Sequence, residues 1–147
     1  MTIEDDLRQI EEERTALYAL VRGATASLSD HPQPGEWSVI ENLRHLLYAE
    51  ERYLLRRLTP GFTWTPLGLP TKGIVKRSGA GSQSSDDLDE VLAAWDATHA
   101  HVLAALSAVP VGSLPDRLAE GNLRHLRAHV RTIHRLLGAS RTPLTEA

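Results

Sequence analysis

Apolar residues return along this chain at alternating steps of three and four, the period that lays them on one face of an α-helix. Ile3, Leu7, Ile10, Leu17 and Val21 mark a first helix over roughly residues 2–22. Thr2, three residues before Asp5, is a start signal, and Gly23 a stop. Pro32, Pro34 and Gly35 then break the pattern. A second helix over 38–58 carries Val39, Leu43, Leu46, Leu47, Leu54 and Leu58 on its stripe. Ser38 with Glu41 opens it as a capping box, each side chain satisfying a free backbone N–H of the first turn.

The third helix is expected to start near Ser85, with Asp86 and Asp87 favourable at its positive end. Its stripe reads Leu88, Leu92, Trp95, His99, Val102, Leu106, and Pro110 and Gly112 end it. The fourth, over 118–138, carries Leu123, Leu126, Val130, Ile133 and Leu137. Gly121 inside it is an imperfection costing about 1 kcal/mol against alanine. The tail from Ser140 is expected to fray.

Helices two and three are joined by residues 59–85, which hold Pro60, Pro66 and Pro70 among Gly61, Gly68, Gly73, Gly79 and Gly81. Helix–helix connections usually take about 2–8 residues, so this one reads as a crossover or lid. Phe62, Trp64, Leu67 and Leu69 are placed to pin it to the helices. With no repeat and no alternating strand pattern, the expectation is all-α. It is a four-helix bundle with a long crossover between helices 2 and 3, one domain over residues 1–147.

Composition changes the picture in three places. At 147 residues, with 41% hydrophobic and 24% charged, the chain can bury a core unaided. A net charge of −3 supplies no basic field for nucleic acid or anionic lipid, and no apolar run approaches the roughly 18 residues of a membrane span. The polar, acidic opening MTIEDDLRQIEEER is unlike a signal peptide, which makes the expected compartment cytoplasmic. Cysteine is absent, so any thiol chemistry needs a thiol from a small molecule. Seven histidines stand out, histidine being the commonest metal ligand and a frequent acid–base group.

His125 and His129, four apart, share one helix face with Cβ atoms about 5–6 Å apart, close enough to grip one ion. A third ligand must come from elsewhere. Two solvated histidines on a bundle flank have the same spacing, and spacing does not choose between the readings. On a helical wheel this pair lies to one side of its apolar stripe, and His45 lies well off the stripe of the second helix. A site there would sit at a helix border, open to solvent on one side. His99 falls on the core stripe, where a hydrogen-bonded core histidine is the commoner reading and a reserve ligand the other.

Glu50 lies between Leu47 and Leu54 on the apolar stripe. It fits a rim glutamate paired with Arg57 or Arg14, support behind a metal ligand, or a catalytic base, the rim pair being the simplest. His31, His101 and His134 read as peripheral. Lys72, Lys76 and Arg77 in the crossover could meet an anion, although no phosphate-loop pattern accompanies them. No nucleophile-elbow or dinucleotide fingerprint is present.

Two blocks carry a family resemblance. PGEWSVIENLRHLLYAEERYL, residues 34–54, resembles the second-helix signature of the DinB-like (damage-inducible) superfamily: a Trp-Ser opening, a glutamate, then His-Leu. HLRAHVRTIHRLLG, residues 125–138, resembles its last-helix His-x-x-x-His pattern. The resemblance implies a four-helix bundle and metal ligands at His45, His125 and His129, holding zinc or nickel. It also implies S-transferase or isomerase chemistry with a low-molecular-weight thiol such as mycothiol or bacillithiol, a small-molecule substrate and a homodimer. Metal-assisted hydrolysis and a non-catalytic, stress-associated helical module are the alternatives. Thr132 departs from the pattern, which commonly has Gln there, leaving the support of the last ligand in question. A pairing of His129 with His134 has the poorer helical spacing.

Overall fold

The computed structural model describes residues 2–25, 27–71, 79–110 and 112–139, all helix, turn and coil. Helix α1 spans Ile3–Arg22. Helix α2 is α-helical over Val39–Glu50, passes through a π-helical turn at Glu51–Leu55 and ends with Arg56–Leu58. Helices α3 and α4 span Leu88–Ser107 and Glu120–Ala139. The four helices of the expected bundle are present, with the long crossover between α2 and α3. None is long and apolar enough to cross a membrane.

The helix starts follow from local chemistry. Ser38 Oγ accepts from Glu41 N–H at 3.1 Å while Ser38 N–H donates to the Glu41 carboxylate at 2.9 Å. Thr2 and Asp5 make the same reciprocal pair at the head of α1. Helix α3 starts later than the expected Ser85, because Asp87 is its cap: the Asp87 carboxylate accepts from the N–H groups of Asp89 and Glu90.

Helix α2 lies between α3 and α4, and α1 lies against α4. Their stripes meet in a core of Ile10 and Leu17, Ile40, Leu43, Leu47 and Leu54, Leu92 and Trp95, and Leu126 and Ile133, none more than 2% exposed. Each such side chain contributes roughly 1.5–3 kcal/mol by leaving water. From α1, Arg14 and the Tyr18 hydroxyl reach α3, each 2.9 Å from the Asp96 carboxylate.

Helix α2 is buried on nearly every side from Val39 to Glu50, more than one stripe allows, because the crossover closes over it. Arg44 holds both limbs of that crossover, donating to the Leu67 carbonyl at 2.9 Å and the Gln83 carbonyl at 2.8 Å. Leu69 N–H returns a bond to the Arg44 carbonyl at 3.1 Å. Leu67 is buried, Trp64 stacks on Tyr48 at 5.2 Å and Phe62 meets Trp64 edge-on at 4.6 Å, so the expected anchors hold the crossover down. Lys72, Lys76 and Arg77 lie outside the described residues.

Candidate metal centre

One turn of α2 and two of α4 bring His45, His125 and His129 together. One ring nitrogen from each lies within 4.8 Å of the other two. Ring centroids stand 4.9 Å apart for His45–His125 and His45–His129, and 4.5 Å for His125–His129. His45 is 4% exposed and the other two are half-buried, so the site is more enclosed than the helical wheel implies. The difference comes from the crossover over α2 and from Trp37, whose ring lies 4.7 Å from that of His45. Tyr48 stacks at 5.9 Å on His45 and Tyr53 stands 5.7 Å from His125, completing an aromatic wall.

The free nitrogens can be read from the bonds the others make. His45 Nδ1 lies 2.8 Å from the Leu69 carbonyl, which can only accept, so Nδ1 carries the proton and Nε2 is bare. His129 Nδ1 lies 2.7 Å from Asn42 Oδ1, so its Nε2 is bare too. His45 Nε2 and His125 Nε2 are 3.2 Å apart. His125 Nδ1 is buried without a hydrogen-bond partner. Nitrogens on a tetrahedral zinc stand about 3.3 Å apart, given bonds of about 2.0–2.1 Å, so the first pair already has ligand spacing.

Electrostatics favour neutral rings. Burial, then the neighbouring histidines and Arg52, push His125 down to about 3, and burial with His45 pushes His129 down to about 4. Burial lowers His45 also, against the opposing bond to Leu69. Three neutral imidazoles converging on one point, two of them with Nε2 bare and His125 with its proton on the Nε2 that faces His45, are a donor set that a divalent cation fits once that proton moves to Nδ1.

The remaining expectations divide. His99 is a core histidine, 7% exposed, hydrogen-bonded through Nδ1 to Glu50 at 2.7 Å and through Nε2 to Glu11 at 2.5 Å. Glu50 is not at a rim and pairs with neither Arg57 nor Arg14. At 1% exposure it accepts from His99 and from Trp95 Nε1 at 3.2 Å, because the stripe carries it straight into the core, where α3 supplies the donors. His31 and His134 are exposed, with His31 bonded to Glu41 at 2.6 Å, and His101 is exposed on α3. Thr132 Oγ1 donates to its own helix at the Ala128 carbonyl, 3.3 Å away, and supports no ligand.

Glu51 lies off the apolar stripe, and nothing in the sequence pattern marks it. It is 1% exposed, accepts from Thr65 Oγ1 at 2.7 Å, and is raised above the usual carboxylate range by burial against the opposing Thr65 bonds. The π turn that begins at Glu51 lets two successive glutamates both point inward. A cleft of about 670 Å³ lined by Glu51, Phe62, Thr65, Thr98 and His101 lies apart from the three ligand candidates, none of which lines it.

A helical bundle with a convergent three-histidine cluster between two of its helices is the class that fold and site define. Residues 9–133 match the pattern of the DinB superfamily, and the chain belongs to that superfamily. No curated protein and no solved structure matches it.

Proposed function

We propose that this protein is a divalent-metal-dependent enzyme of DinB type that uses a low-molecular-weight thiol such as mycothiol or bacillithiol in S-transferase or isomerase chemistry on a small molecule. The convergence of His45, His125 and His129 carries this reading. Those three residues hold the cation, zinc or nickel. Three neutral ligands leave it its full charge, which lowers the pKa of a thiol or water beside it toward neutrality.

The chain's own residues supply orientation and dryness. Leu69 and Asn42 hold two rings with their Nε2 atoms free, while Trp37, Tyr48 and Tyr53 wall the rings from solvent. His125 moves its proton from Nε2 to the unpartnered Nδ1 when it takes up a cation. With no cysteine in the chain, the thiol is a diffusible one. A homodimer in the cytoplasm is the proposed working form.

Metal analysis of untagged protein tests this. About one zinc or nickel per chain is expected, lost in His45→Ala and His129→Ala and kept in His134→Ala, whose ring is exposed. Metal-free protein that also fails reconstitution refutes the enzyme reading. Thiols added to a cobalt-substituted sample should change its absorption, whereas silence with every thiol favours hydrolysis through the same histidines or a helical module without chemistry.

A further inference from the structure

We infer that Asn42 is a positioning residue for the cation site, fixing His129 in the tautomer that presents Nε2. The inference rests on the metal reading above and assigns a role to a residue outside the ligand set.

Asn42 lies three residues before His45 on α2 and is 2% exposed. Its Nδ2 donates to the Ser38 carbonyl at 2.9 Å. A carbonyl cannot donate, so the amide has one sense: Nδ2 toward Ser38, Oδ1 toward α4. Oδ1 accepts only, and His129 Nδ1 stands 2.7 Å away, so the proton of a neutral His129 ring sits on Nδ1. The orientation of a ligand on α4 is thereby set from the first turn of α2. Ser38 anchors it twice over: Oγ closes the capping box, and its carbonyl receives both the Asn42 side chain and the Asn42 backbone N–H, the latter at 3.0 Å.

The three ligands are served unequally. His45 takes its outer partner from the Leu69 backbone, which no substitution at 69 removes directly. His125 Nδ1 has no partner. Among the described residues, Asn42 is the side chain that hydrogen-bonds the outer nitrogen of a ligand, and Thr132, spent on its own helix, is not placed to replace it. Outer hydrogen bonds of this kind fix the tautomer and raise ligand basicity, and their loss typically costs about 10–100-fold in metal affinity.

The test has two arms. In metal-free, ¹⁵N-labelled protein at neutral pH, long-range ¹H–¹⁵N correlation should show His129 as the Nδ1–H tautomer. A predominant Nε2–H form in the wild type overturns the inference without any variant. In the second arm, zinc affinity is measured by competition with a chelating dye. Asn42→Leu, close in volume, should weaken it about 10–100-fold, and Asn42→Asp, which still accepts from Nδ1 although its second oxygen loses the bond to the Ser38 carbonyl, should weaken it less than Asn42→Leu does. A purely structural Asn42 predicts loss in both variants in proportion to their loss of stability, read in parallel by urea unfolding, and that result overturns the role. Wild-type protein that binds no zinc refutes the metal reading and this role with it. Tight wild-type binding left unchanged in a folded Asn42→Leu refutes the role alone.

Discussion

Removing the His99 ring tests how the buried Glu50 is held. Glu50 is 1% exposed and has two partners, His99 Nδ1 at 2.7 Å and Trp95 Nε1 at 3.2 Å. His99→Leu leaves a carboxylate in the core with the indole as its remaining donor, and breaking a buried pair from one side costs about 3–5 kcal/mol. Glu50→Leu strands the indole N–H and one ring nitrogen, at about 1–3 kcal/mol for each unsatisfied group. The double variant Glu50→Leu/His99→Leu removes both costly groups together and strands the Trp95 N–H, so its loss should be smaller than the sum of the singles. On these figures the coupling energy should be at least about 3 kcal/mol, at or above the upper end for residues in one network. Urea unfolding at pH 7, followed by circular dichroism, reads all four corners of the cycle. Single effects that add to within about 0.5 kcal/mol would refute the reasoning, because they would mean that the two side chains do not depend on each other.

The histidines should bend the pH profile of stability in opposite directions. In metal-stripped protein, His125 and His129 are held well below their ordinary 6.5, mainly by burial, so the unfolded chain takes up protons that the native rings refuse. Stability should therefore fall as pH drops from 6.5 toward about 4. His99 is the reverse. Burial disfavours its charge, but the Glu50 bond and the nearby carboxylates outweigh burial and raise it, so its contribution is full below 6.5 and is lost as pH rises through its folded value. Urea midpoints between pH 5 and 8.5 check both limbs, and a flat line from 6.5 to 5 contradicts the first. Gly121→Ala should fail to return the about 1 kcal/mol that helix propensity promises, since the added Cβ would stand 3.0 Å from the Tyr53 ring. A thermal melt showing the full gain would mean that the ring yields freely.

What could be read from the residues was whatever depends on one element at a time. Periodicity located all four helices, and Ser38 with Glu41 announced the start of α2, because stripe and capping box are local properties. His125 and His129 were legible as a pair for the same reason: a step of four on one helix fixes their separation. Their convergence with His45 depends on how α2 and α4 pack, and spacing contains no information about that, so family resemblance had to single out the third histidine. The enclosure of the site is not legible on a helical wheel, which sees only its own helix. The cover on His45 is the crossover, placed by Arg44, which looks like an ordinary surface arginine in a string of residues.

Polar partners across helices were the least legible feature, and Asn42 shows why. An asparagine in the first turn of a helix is ordinary, since such residues readily bond nearby backbone, as its bond to the Ser38 carbonyl illustrates. Nothing about its position along the chain says that the other end of the amide meets a ring 87 residues away. Glu50 and Glu51 make the same point from the other side. An apolar stripe flags a glutamate as misplaced but cannot say whether it escapes to a rim or finds a donor in the core. The answer needed two facts from elsewhere: the donors on α3, and a π turn that places Glu50 against His99 and Glu51 against Thr65 within one continuous helix. Local chemistry therefore reports which residues are out of place, and only the packed bundle reports what each of them holds.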